Sequence, residues 1–543
     1  MGEGVRACSM GETAGNRYRA AQPSQGEEPG QAEGRATDIL NEWLVAGGDS
    51  RLRVNPATQL SDYGCQAFPR PALSFASSTA SSISERGYAA AAEAFAHIQK
   101  LSQFAAFDAF VETMRADLKA LWGLAEDIDV IFAPSGTDAE LRALFVAQSM
   151  LRAPTISLVV AAEESGSGVP YAAAGRHFNS GTANGARVIK GRFVRGLGSG
   201  VGAVEVPALN ASGGSRPLEE IDADVVGRVR AVISGGSSVA LHVMLHSKLG
   251  TCAPSVDCIG AIRGEFGPAV QIIVDACQAR LSRAQLNSYL GQADLVLLTG
   301  SKFFTGPAFS GAVLVPAALS ARASEQTHIP FGLVDYSNAS DWPARYRHVR
   351  ALMPQTMNLG QALRWAAALE EMRRYFAVPD HFRAQALTAF AAFAGRRITD
   401  DPQLHLLPQP ASMTGEEFAA RTVFPFLLTR NGRTLSLAET KLLYQGLNDD
   451  LSQVLGGSAE QRGLLARACH IGQPVAIPRA SGETAGALRV AADARMISEC
   501  WFAGPETDAV ARFQAGLEGL QVVFDKLTLM LAHVETIKHA VAA

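Results

Sequence analysis

The chain has 543 residues, which is longer than one hydrophobic core usually organises, so we expect two or more folded domains. Hydrophobic residues make up 48% and charged residues 18% of the sequence, which indicates a globular protein with a large buried core. The formal net charge is −4 and no long run of Lys and Arg occurs, which argues against nucleic acid as a partner.

The N-terminal region lacks the apolar segment of a secretory signal, and no stretch reaches the roughly 20 apolar residues that a membrane helix needs. Seven cysteines are scattered along the chain, at positions 8, 65, 252, 258, 277, 469 and 500. Their odd number and the lack of a C-x-x-C pair favour free thiols in a reducing compartment. We therefore expect a cytoplasmic protein that does not contact a membrane and has no metal site.

Residues 1–35 are rich in Gly, Ala, Gln and Glu and contain few large apolar residues, which predicts a disordered tail. Residues 36–330 are predicted to form one large domain, in which helical stretches alternate from about residue 85 with short apolar runs rich in β-branched residues. Such runs are typical of strands buried on both faces of a mostly parallel sheet, and the helices between them indicate a doubly wound α/β domain. The predicted strands lie at residues 130–133, 156–160, 239–245, 272–274, 295–298 and 312–315.

The pattern changes after residue 330. We expect a linking helical segment over residues 331–375, which contains one long helix. Residues 376–543 are predicted to form a smaller C-terminal α+β domain, with strands near residues 424–428 and 487–490 and a long closing amphipathic helix.

Three of the predicted strands end in residues that suit one kind of chemistry. The first is followed by Ser135-Gly136-Thr137 at the start of a helix, where free N–H groups, a hydroxyl and the positive end of the helix dipole bind phosphate well. A later strand ends at Asp275, and the next one leads to Lys302. Because ligands of open α/β sheets bind beyond the carboxyl ends of the strands, we expect these groups to lie together.

Each of these groups has a simpler explanation when it is taken alone. A Gly-Thr turn before a helix is usually an N-cap, an Asp at a strand end is usually a turn former, and a Lys after a strand is usually solvated. Together they match the needs of pyridoxal 5′-phosphate (PLP): a lysine amine for a Schiff base, a carboxylate that keeps the pyridine nitrogen protonated, and a helix N-terminus for the phosphate. The set therefore predicts a PLP site built on Lys302, Asp275 and the turn at residues 135–137.

The segments VDACQ at residues 274–278 and TGSKFFTGP at residues 299–307 resemble the class V aminotransferase and cysteine desulfurase group of fold type I PLP enzymes. The resemblance extends over roughly residues 75–370, with a weaker similarity near Arg489. It implies the fold of that group, which is a large PLP-binding α/β domain with a smaller C-terminal α+β domain. It also implies a homodimer that acts on a small-molecule amino-acid substrate.

The resemblance implies a role for each matching residue. Lys302 carries PLP as a Schiff base and moves the proton at the substrate α-carbon, and Asp275 pairs with the pyridinium nitrogen. Gln278 hydrogen-bonds the ring O3′, and Ser247 stands where the family places an Asn near the ring. The remaining cofactor contacts are assigned to hydroxyl and backbone groups of Ser135, Gly136, Thr137, Thr299 and Ser301.

Two further residues are assigned by weaker similarity. Arg489, in ALRVAADARMI, matches the Arg that binds the substrate α-carboxylate, a role that suits a planar guanidinium; an ordinary ion pair on a surface strand is the alternative. Thr356, in PQTMNLGQALRW, matches the Thr that enters the phosphate site of the neighbouring subunit, which implies active sites shared within a homodimer.

The sequence departs from the family pattern at three places. Ser301 occupies the position of the usual His before the lysine. No aromatic residue lies within residues 163–168, where the family stacks a ring on the pyridine, so Tyr171 or His177 would have to reach in from the next turn. Cys469 lacks the flexible small neighbours of a sulfur-carrying cysteine, and we interpret it as a buried structural residue.

We expect the reaction to be transamination at the α-carbon of an amino acid. A PLP-dependent C–S lyase or a desulfurase-like elimination is one alternative, because it uses the same residues. A non-catalytic scaffold of this fold is another, which the intact Asp275 and Lys302 disfavour. The segment GSGVGA at residues 198–203 fits a dinucleotide-binding pattern by letter, but no helical pattern follows it, so we predict a loop.

Overall fold

The computed structural model describes residues 29–151, 154–409 and 416–542. Residues 1–28 of the predicted tail lie outside the described residues, and a helix begins at Pro29. The predicted domain boundaries stay predictions, and the described residues are organised around two sheets.

The strands in the described ranges are β1 (Leu73–Phe75), β2 (Asp129–Ala133), β3 (Thr155–Val160), β4 (Val201–Val206), β5 (Ser238–Met244), β6 (Val270–Ala276), β7 (Leu295–Thr299), β8 (Gly311–Val315), β9 (Leu404–Leu406), β10 (Val423–Arg430), β11 (Arg433–Thr434), β12 (Cys469–Pro478) and β13 (Thr484–Ala491). The α-helices are α1 (Pro29–Leu44), α2 (Glu85–Ile98), α3 (Phe104–Trp122), α4 (Gly136–Gln148), α5 (Val169–Ala173), α6 (Leu218–Ser234), α7 (Val256–Phe266), α8 (Arg283–Gly291), α9 (Ala317–Ser324), α10 (Arg347–Leu352), α11 (Leu359–Phe376), α12 (Asp380–Thr399), α13 (Leu437–Asn448), α14 (Ser452–Leu455), α15 (Ala459–Ala466), α16 (Ala494–Ser498), α17 (Glu506–Ala532) and α18 (Val534–Ala542). Short 3-10 helices lie at Ser50–Leu52, Ala162–Glu164, Gly267–Ala269, Phe331–Asp335, Ala339–Asp341 and Glu416–Phe418.

Among the described residues, seven strands form the large sheet in the order β2-β8-β7-β6-β5-β3-β4. The neighbours from β7 to β4 are parallel, while β8 is antiparallel to both β7 and β2. Val130 and Phe132 point into one buried hydrophobic cluster, which includes side chains of α6, and Ile131 and Ala133 point into another, which includes side chains of α4. Helices therefore cover both faces, and the predicted doubly wound, mostly parallel sheet is confirmed.

One segment that we predicted to be a loop is a strand. Residues 201–206 form β4 at the edge of the large sheet, parallel to β3. Its side chains are only partly buried between the two ends, and Gly202 and Glu205 interrupt the apolar run that marks the inner strands. A strand instead of a helix follows the glycine-rich turn, as expected for a segment that is not a dinucleotide site.

The small sheet combines β1, from the N-terminal part of the chain, with β9 to β13 from the C-terminal part. Within the described ranges its order is β1-β12-β13-β10-β11, and β9 also pairs with β10. β1 is parallel to β12, with Leu73 opposite Cys469, whereas the other pairs are antiparallel. The prediction of a smaller C-terminal α+β unit is confirmed, but the contribution of β1 from the N-terminal side was not predicted.

The part of the chain that the structure describes contains neither a membrane-spanning helix nor a metal-binding cluster. None of its helices combines the length and the apolar character that crossing a bilayer requires. Its His, Cys, Asp and Glu side chains form no group of three or more that could hold a metal ion.

Candidate active site

A cavity of about 220 Å³ lies at the carboxyl ends of the inner strands of the large sheet. It is the place where ligands of open α/β sheets bind. Most residues predicted to form the cofactor site line this one cavity: Ser135, Gly136, Thr137, Ser247, Asp275, Gln278, Thr299, Ser301 and Lys302. Residues from four different strand ends thus meet, as the sequence predicted.

The N-terminus of α4 forms one wall of the cavity. Ser135 is the N-cap, and its hydroxyl accepts a hydrogen bond from the backbone N–H of Asp138 at 3.2 Å. A Cβ atom at Gly136 would come within 2.9 Å of the Sγ atom of Cys277, so only glycine lets this turn pack against the end of β6. The first helical turn therefore presents backbone N–H groups and the Thr137 hydroxyl toward the cavity.

An arginine that the sequence did not reveal lies against this wall. Arg51 donates hydrogen bonds from Nη1 to the Thr137 hydroxyl at 3.3 Å and from Nη2 to the Ser135 hydroxyl at 3.2 Å. Asp49 holds the guanidinium through an ion pair of 2.6 Å, and the ring of Phe309 lies 4.8 Å from it. A cation is thus added to the helix N-terminus, which strengthens its preference for an anion.

Asp275 and Lys302 line the cavity from neighbouring strands. The Asp275 carboxylate accepts a hydrogen bond from the backbone N–H of Cys277 at 3.0 Å, which fixes its orientation. Within the described ranges the Lys302 amine has no hydrogen-bond or ion-pair partner. Burial raises the pKa of the Cys277 thiol, Asp275 raises it further, and Lys302 opposes the shift, so the thiol lies within electrostatic reach of both groups.

A Ser-Thr segment after β1 connects two of the predicted ligand-binding residues. Gln278 donates a hydrogen bond from Nε2 to the backbone carbonyl of Ser78 at 3.0 Å, and its Oε1 atom is buried without a partner among the described residues. Arg489 donates from Nε to the Ser78 hydroxyl at 3.3 Å and from Nη2 to the Thr79 hydroxyl at 2.5 Å. Ser78 and Thr79 line the cavity and were not predicted.

Arg489 is buried, with 1% of its surface exposed, and burial lowers its pKa to about 10. Its Nη1 atom has no hydrogen-bond partner among the described residues, and no carboxylate there forms an ion pair with it. The alternative of an ordinary ion pair on a surface strand is therefore wrong. Arg489 itself does not line the cavity; it contacts it through Ser78 and Thr79, and its unpartnered Nη1 atom is buried beside them.

Ser247 has a different partner from the one that the family similarity implied. Its hydroxyl donates a hydrogen bond to the carboxyl group of Glu164, in the loop after β3. Burial raises the pKa of Glu164 to about 7, against the hydrogen bonds from Ser247 and Thr251. Both side chains line the cavity, which therefore contains a carboxyl group that the sequence did not reveal.

Two groups of residues lie apart from the cavity. Thr356 is exposed and donates a hydrogen bond to the side chain of Asn338, away from the cavity of its own chain. Tyr171 faces Lys190, and His177 shares a hydrogen bond of 2.7 Å with the hydroxyl of Tyr336, so neither ring lines the cavity. The aromatic side chains that do line it are Tyr63, His246 and Phe309.

Solved structures share this fold over most of its length. A structure of Oryza sativa TDC with PLP and tryptamine is 12% identical, with a TM-score of 0.50 and coverage of 94% of this chain and 99% of that one. Catharanthus roseus tryptophan decarboxylase in complex with L-tryptophan is 13% identical, with a TM-score of 0.50 and coverage of 92% and 99%. The cysteine desulfurase CsdA from Escherichia coli is 16% identical, with a TM-score of 0.44 and coverage of 83% and 95%.

No family model matches the chain, and a search of curated proteins gives no match. The structural similarity establishes the fold, which is that of fold type I PLP-dependent enzymes, as the sequence predicted. Decarboxylases share it, so the kind of reaction has to be argued from the residues of the cavity.

Proposed function

We propose that this protein is a PLP-dependent enzyme that acts at the α-carbon of an amino acid, and that its reaction is transamination. The observation that carries the proposal is the meeting of Lys302 and Asp275 with the N-terminus of α4 in one cavity. Each of these groups has an ordinary explanation alone, but a scaffold has no need of the three together.

The groups that line the cavity match the parts of PLP. The N–H groups and hydroxyls at the start of α4, with the guanidinium of Arg51, suit the phosphate. Asp275 suits the pyridine nitrogen, Gln278 suits the ring oxygen, and the unpartnered amine of Lys302 suits the covalent attachment. The phosphate, the ring nitrogen, the ring oxygen and the aldehyde carbon of the cofactor thus each have a complementary group.

When bound, PLP supplies an electron sink for the negative charge that develops at the substrate α-carbon. Asp275 keeps the ring nitrogen protonated, since a carboxylate beside it favours the charged form. The Lys302 amine would act as the general base that takes the proton from the substrate α-carbon and, once protonated, as the general acid that gives it back. We assign the substrate α-carboxylate to Arg489, whose Nη1 atom is unpartnered and which contacts the cavity-lining Ser78 and Thr79.

Arg489 favours transamination over decarboxylation. A guanidinium that holds the carboxylate throughout the reaction leaves the Cα–H bond as the one on which Lys302 acts. The cysteines of the described residues are buried, and Cys469 lies at the start of β12 with its thiol directed to the Arg467 carbonyl, so they do not suit a mobile sulfur carrier. Desulfurase-like chemistry is therefore not part of the proposal.

Borohydride trapping tests the cofactor. The purified protein is loaded with PLP, reduced with borohydride and digested, and the labelled peptide is identified by mass spectrometry. We expect the label on Lys302, its loss in Lys302→Ala and its retention in the matched control Lys441→Ala, which changes an exposed lysine. Failure of the wild-type protein to retain PLP contradicts the proposal.

Product analysis tests the reaction. With an amino acid as the only substrate, transamination converts the bound PLP to pyridoxamine phosphate and releases a 2-oxo acid that keeps the whole side chain. Release of carbon dioxide indicates decarboxylation, and release of pyruvate with ammonia or sulfide indicates elimination. Either of the last two results contradicts transamination and leaves the α-carbon chemistry in place.

We also propose a homodimer with shared sites, as the family similarity implies. Thr356 is exposed beside α11 and does not line its own cavity, so a partner subunit can reach its side chain, and its O–H would exchange Asn338 for the partner's phosphate site. Light scattering after size-exclusion chromatography tests the dimer. The substitution Thr356→Val is expected to weaken PLP binding while the protein remains a dimer. A wild-type protein that binds PLP as a monomer contradicts this part of the proposal.

A further inference from the structure

A second lysine lines the cavity and has no role in the proposed reaction. Lys248 follows Ser247 in the loop after β5 and contributes to the same cavity wall as Lys302. It also lines an adjoining cleft, together with Pro474 and Val475 of β12. Its side chain therefore lies between the inner cavity and a second opening, where the outer end of a bound substrate would be found.

The Lys248 ammonium is held in place but has donors to spare. Its Nζ atom donates one hydrogen bond, to the backbone carbonyl of Ser165 at 2.6 Å. An ammonium carries three donors, and within the described residues no carboxylate forms an ion pair with this one. Two N–H groups are thus free at the wall of the cavity.

The charges around the cavity leave one cation without a counterpart. The cations that line the cavity are Arg51, Lys248 and Lys302, and Arg489 lies next to it on Ser78 and Thr79; the carboxyl groups that line the cavity are Glu140, Glu164 and Asp275. Glu140 faces His242 at 2.8 Å, and Glu164 accepts its hydrogen bond from Ser247.

The proposed function assigns a partner to each of the other three cations. Arg51 receives the phosphate, Lys302 is joined to the cofactor and Arg489 receives the α-carboxylate. Lys248 alone has no assigned partner, and a buried amine is stable in its charged form only when an anion pairs with it.

We infer that Lys248 binds an acidic group at the end of the substrate side chain, so that the enzyme acts on amino acids with a second acidic group such as a carboxylate or a sulfinate. The inference rests on the proposed function, because it takes the α-carboxylate to be bound at Arg489. A monocarboxylic amino acid leaves the Lys248 donors without an anionic partner, and its binding is correspondingly weaker.

Binding of the second acidic group is coupled to a proton. Burial lowers the pKa of Lys248 to about 7, and the nearby cations act in the same direction while Asp275 opposes them. An anion beside Nζ raises this pKa again, so the protein takes up a proton when it binds the ligand at a pH above 7. The charged groups that face Lys248 are Arg51, Glu163, Glu164, Arg176, Glu205, Asp275, Lys302 and Arg489.

The test uses unreactive acids and the PLP-loaded protein. Glutarate is compared with pentanoate by isothermal titration calorimetry at about pH 8, in buffers that differ in ionisation enthalpy. We expect glutarate to bind about 10- to 100-fold more tightly, as for a hydrogen-bonded charged group, with uptake of up to about one proton.

Three variants separate charge from structure. Lys248→Met is expected to bind both acids as weakly as the wild-type protein binds pentanoate, without proton uptake. Lys248→Arg is expected to keep much of the preference for glutarate and to lose the proton uptake, because a guanidinium stays protonated at this pH. Lys441→Met, at an exposed position on α13, is the matched control and should behave as the wild-type protein does.

If PLP is trapped on Lys302, the proposed function stands, and two results then overturn the inference. The first is that glutarate binds no more tightly than pentanoate, and the second is that Lys248→Met lowers the affinity for both acids equally. The second result identifies Lys248 as a structural tether to Ser165. Failure to trap PLP on Lys302 overturns the proposed function itself.

Discussion

Arg51 allows a direct test of the phosphate site, because it lies outside the segments that resemble known enzymes. The substitution Arg51→Met removes the guanidinium that contacts the hydroxyls of Ser135 and Thr137 and keeps an apolar side chain near Phe309. If the phosphate of PLP binds at the N-terminus of α4, the variant loses a cation that contacts it. Pyridoxal, which has no phosphate, should bind to the variant and the wild-type protein alike.

The size of the effect follows from the exposure of the side chain. A hydrogen bond to a charged group contributes about 1.5 to 3 kcal/mol, and solvent screening lowers the value for a group that is partly exposed. The Arg51 side chain is 27% exposed, so we expect a loss of about 2 kcal/mol in the free energy of PLP binding, which raises the Kd about 30-fold.

The substitution also leaves Asp49 buried without its partner, which destabilises the fold independently of the cofactor. The double variant Asp49→Asn, Arg51→Met removes both charges and controls for this effect. Its melting temperature without PLP should recover relative to the single variant, whereas its affinity for PLP should stay low. The apoproteins are titrated with PLP and with pyridoxal, and binding is followed by absorbance.

The refuting result is an equal change for the two ligands. If Arg51→Met weakens pyridoxal as much as PLP, the residue supports the cavity as a whole and does not bind phosphate. An unchanged Kd for PLP in the variant also refutes the reasoning, because it shows that Arg51 makes no contact with the phosphate.

Three further predictions concern Arg489, Asp275 and Glu164. Arg489→Met should raise the KM for the amino acid about 10- to 100-fold, while the Kd for PLP changes much less; steady-state kinetics and PLP titration together check this. Asp275→Asn should retain the borohydride label on Lys302 but lower kcat, as measured by 2-oxo acid release, because an amide does not keep the ring nitrogen protonated. Burial raises the pKa of Glu164 to about 7 from an ordinary 4.5, so the folded protein holds a proton that the unfolded chain releases. The free energy of unfolding should therefore fall as the pH rises between these values, and Glu164→Gln should reduce the fall; urea denaturation at about pH 5 and about pH 8 measures both.

The sequence predicts those parts of the molecule that have local signals. The strands β2, β5 and β7 are buried along their whole length and consist mostly of apolar residues, and the residues at their ends could be placed in one cavity by the topology of the sheet. The edge strand β4 carries a glycine and an exposed glutamate, and its pattern resembles a loop.

The remaining residues of the cavity could not be found this way. Arg51, Ser78 and Thr79 come from segments with no periodic pattern, and their positions depend on long-range packing of the N-terminal part of the chain. Lys248 follows Ser247 in the sequence, but a lysine after a strand is usually solvated. That its side chain lines the cavity is seen only in the three-dimensional structure.

The pairing of β1 with β12 has a consequence for folding during translation. The large sheet can assemble once residue 315 has left the ribosome, but Leu73 must wait for Cys469, and Ser78 must wait for Arg489. A nascent chain therefore carries an unpaired strand through much of its translation, and such edges are prone to aggregation. Chains that stop before β12 should retain Lys302 and Asp275 yet lack Arg489, and chaperones are expected to associate with them longest.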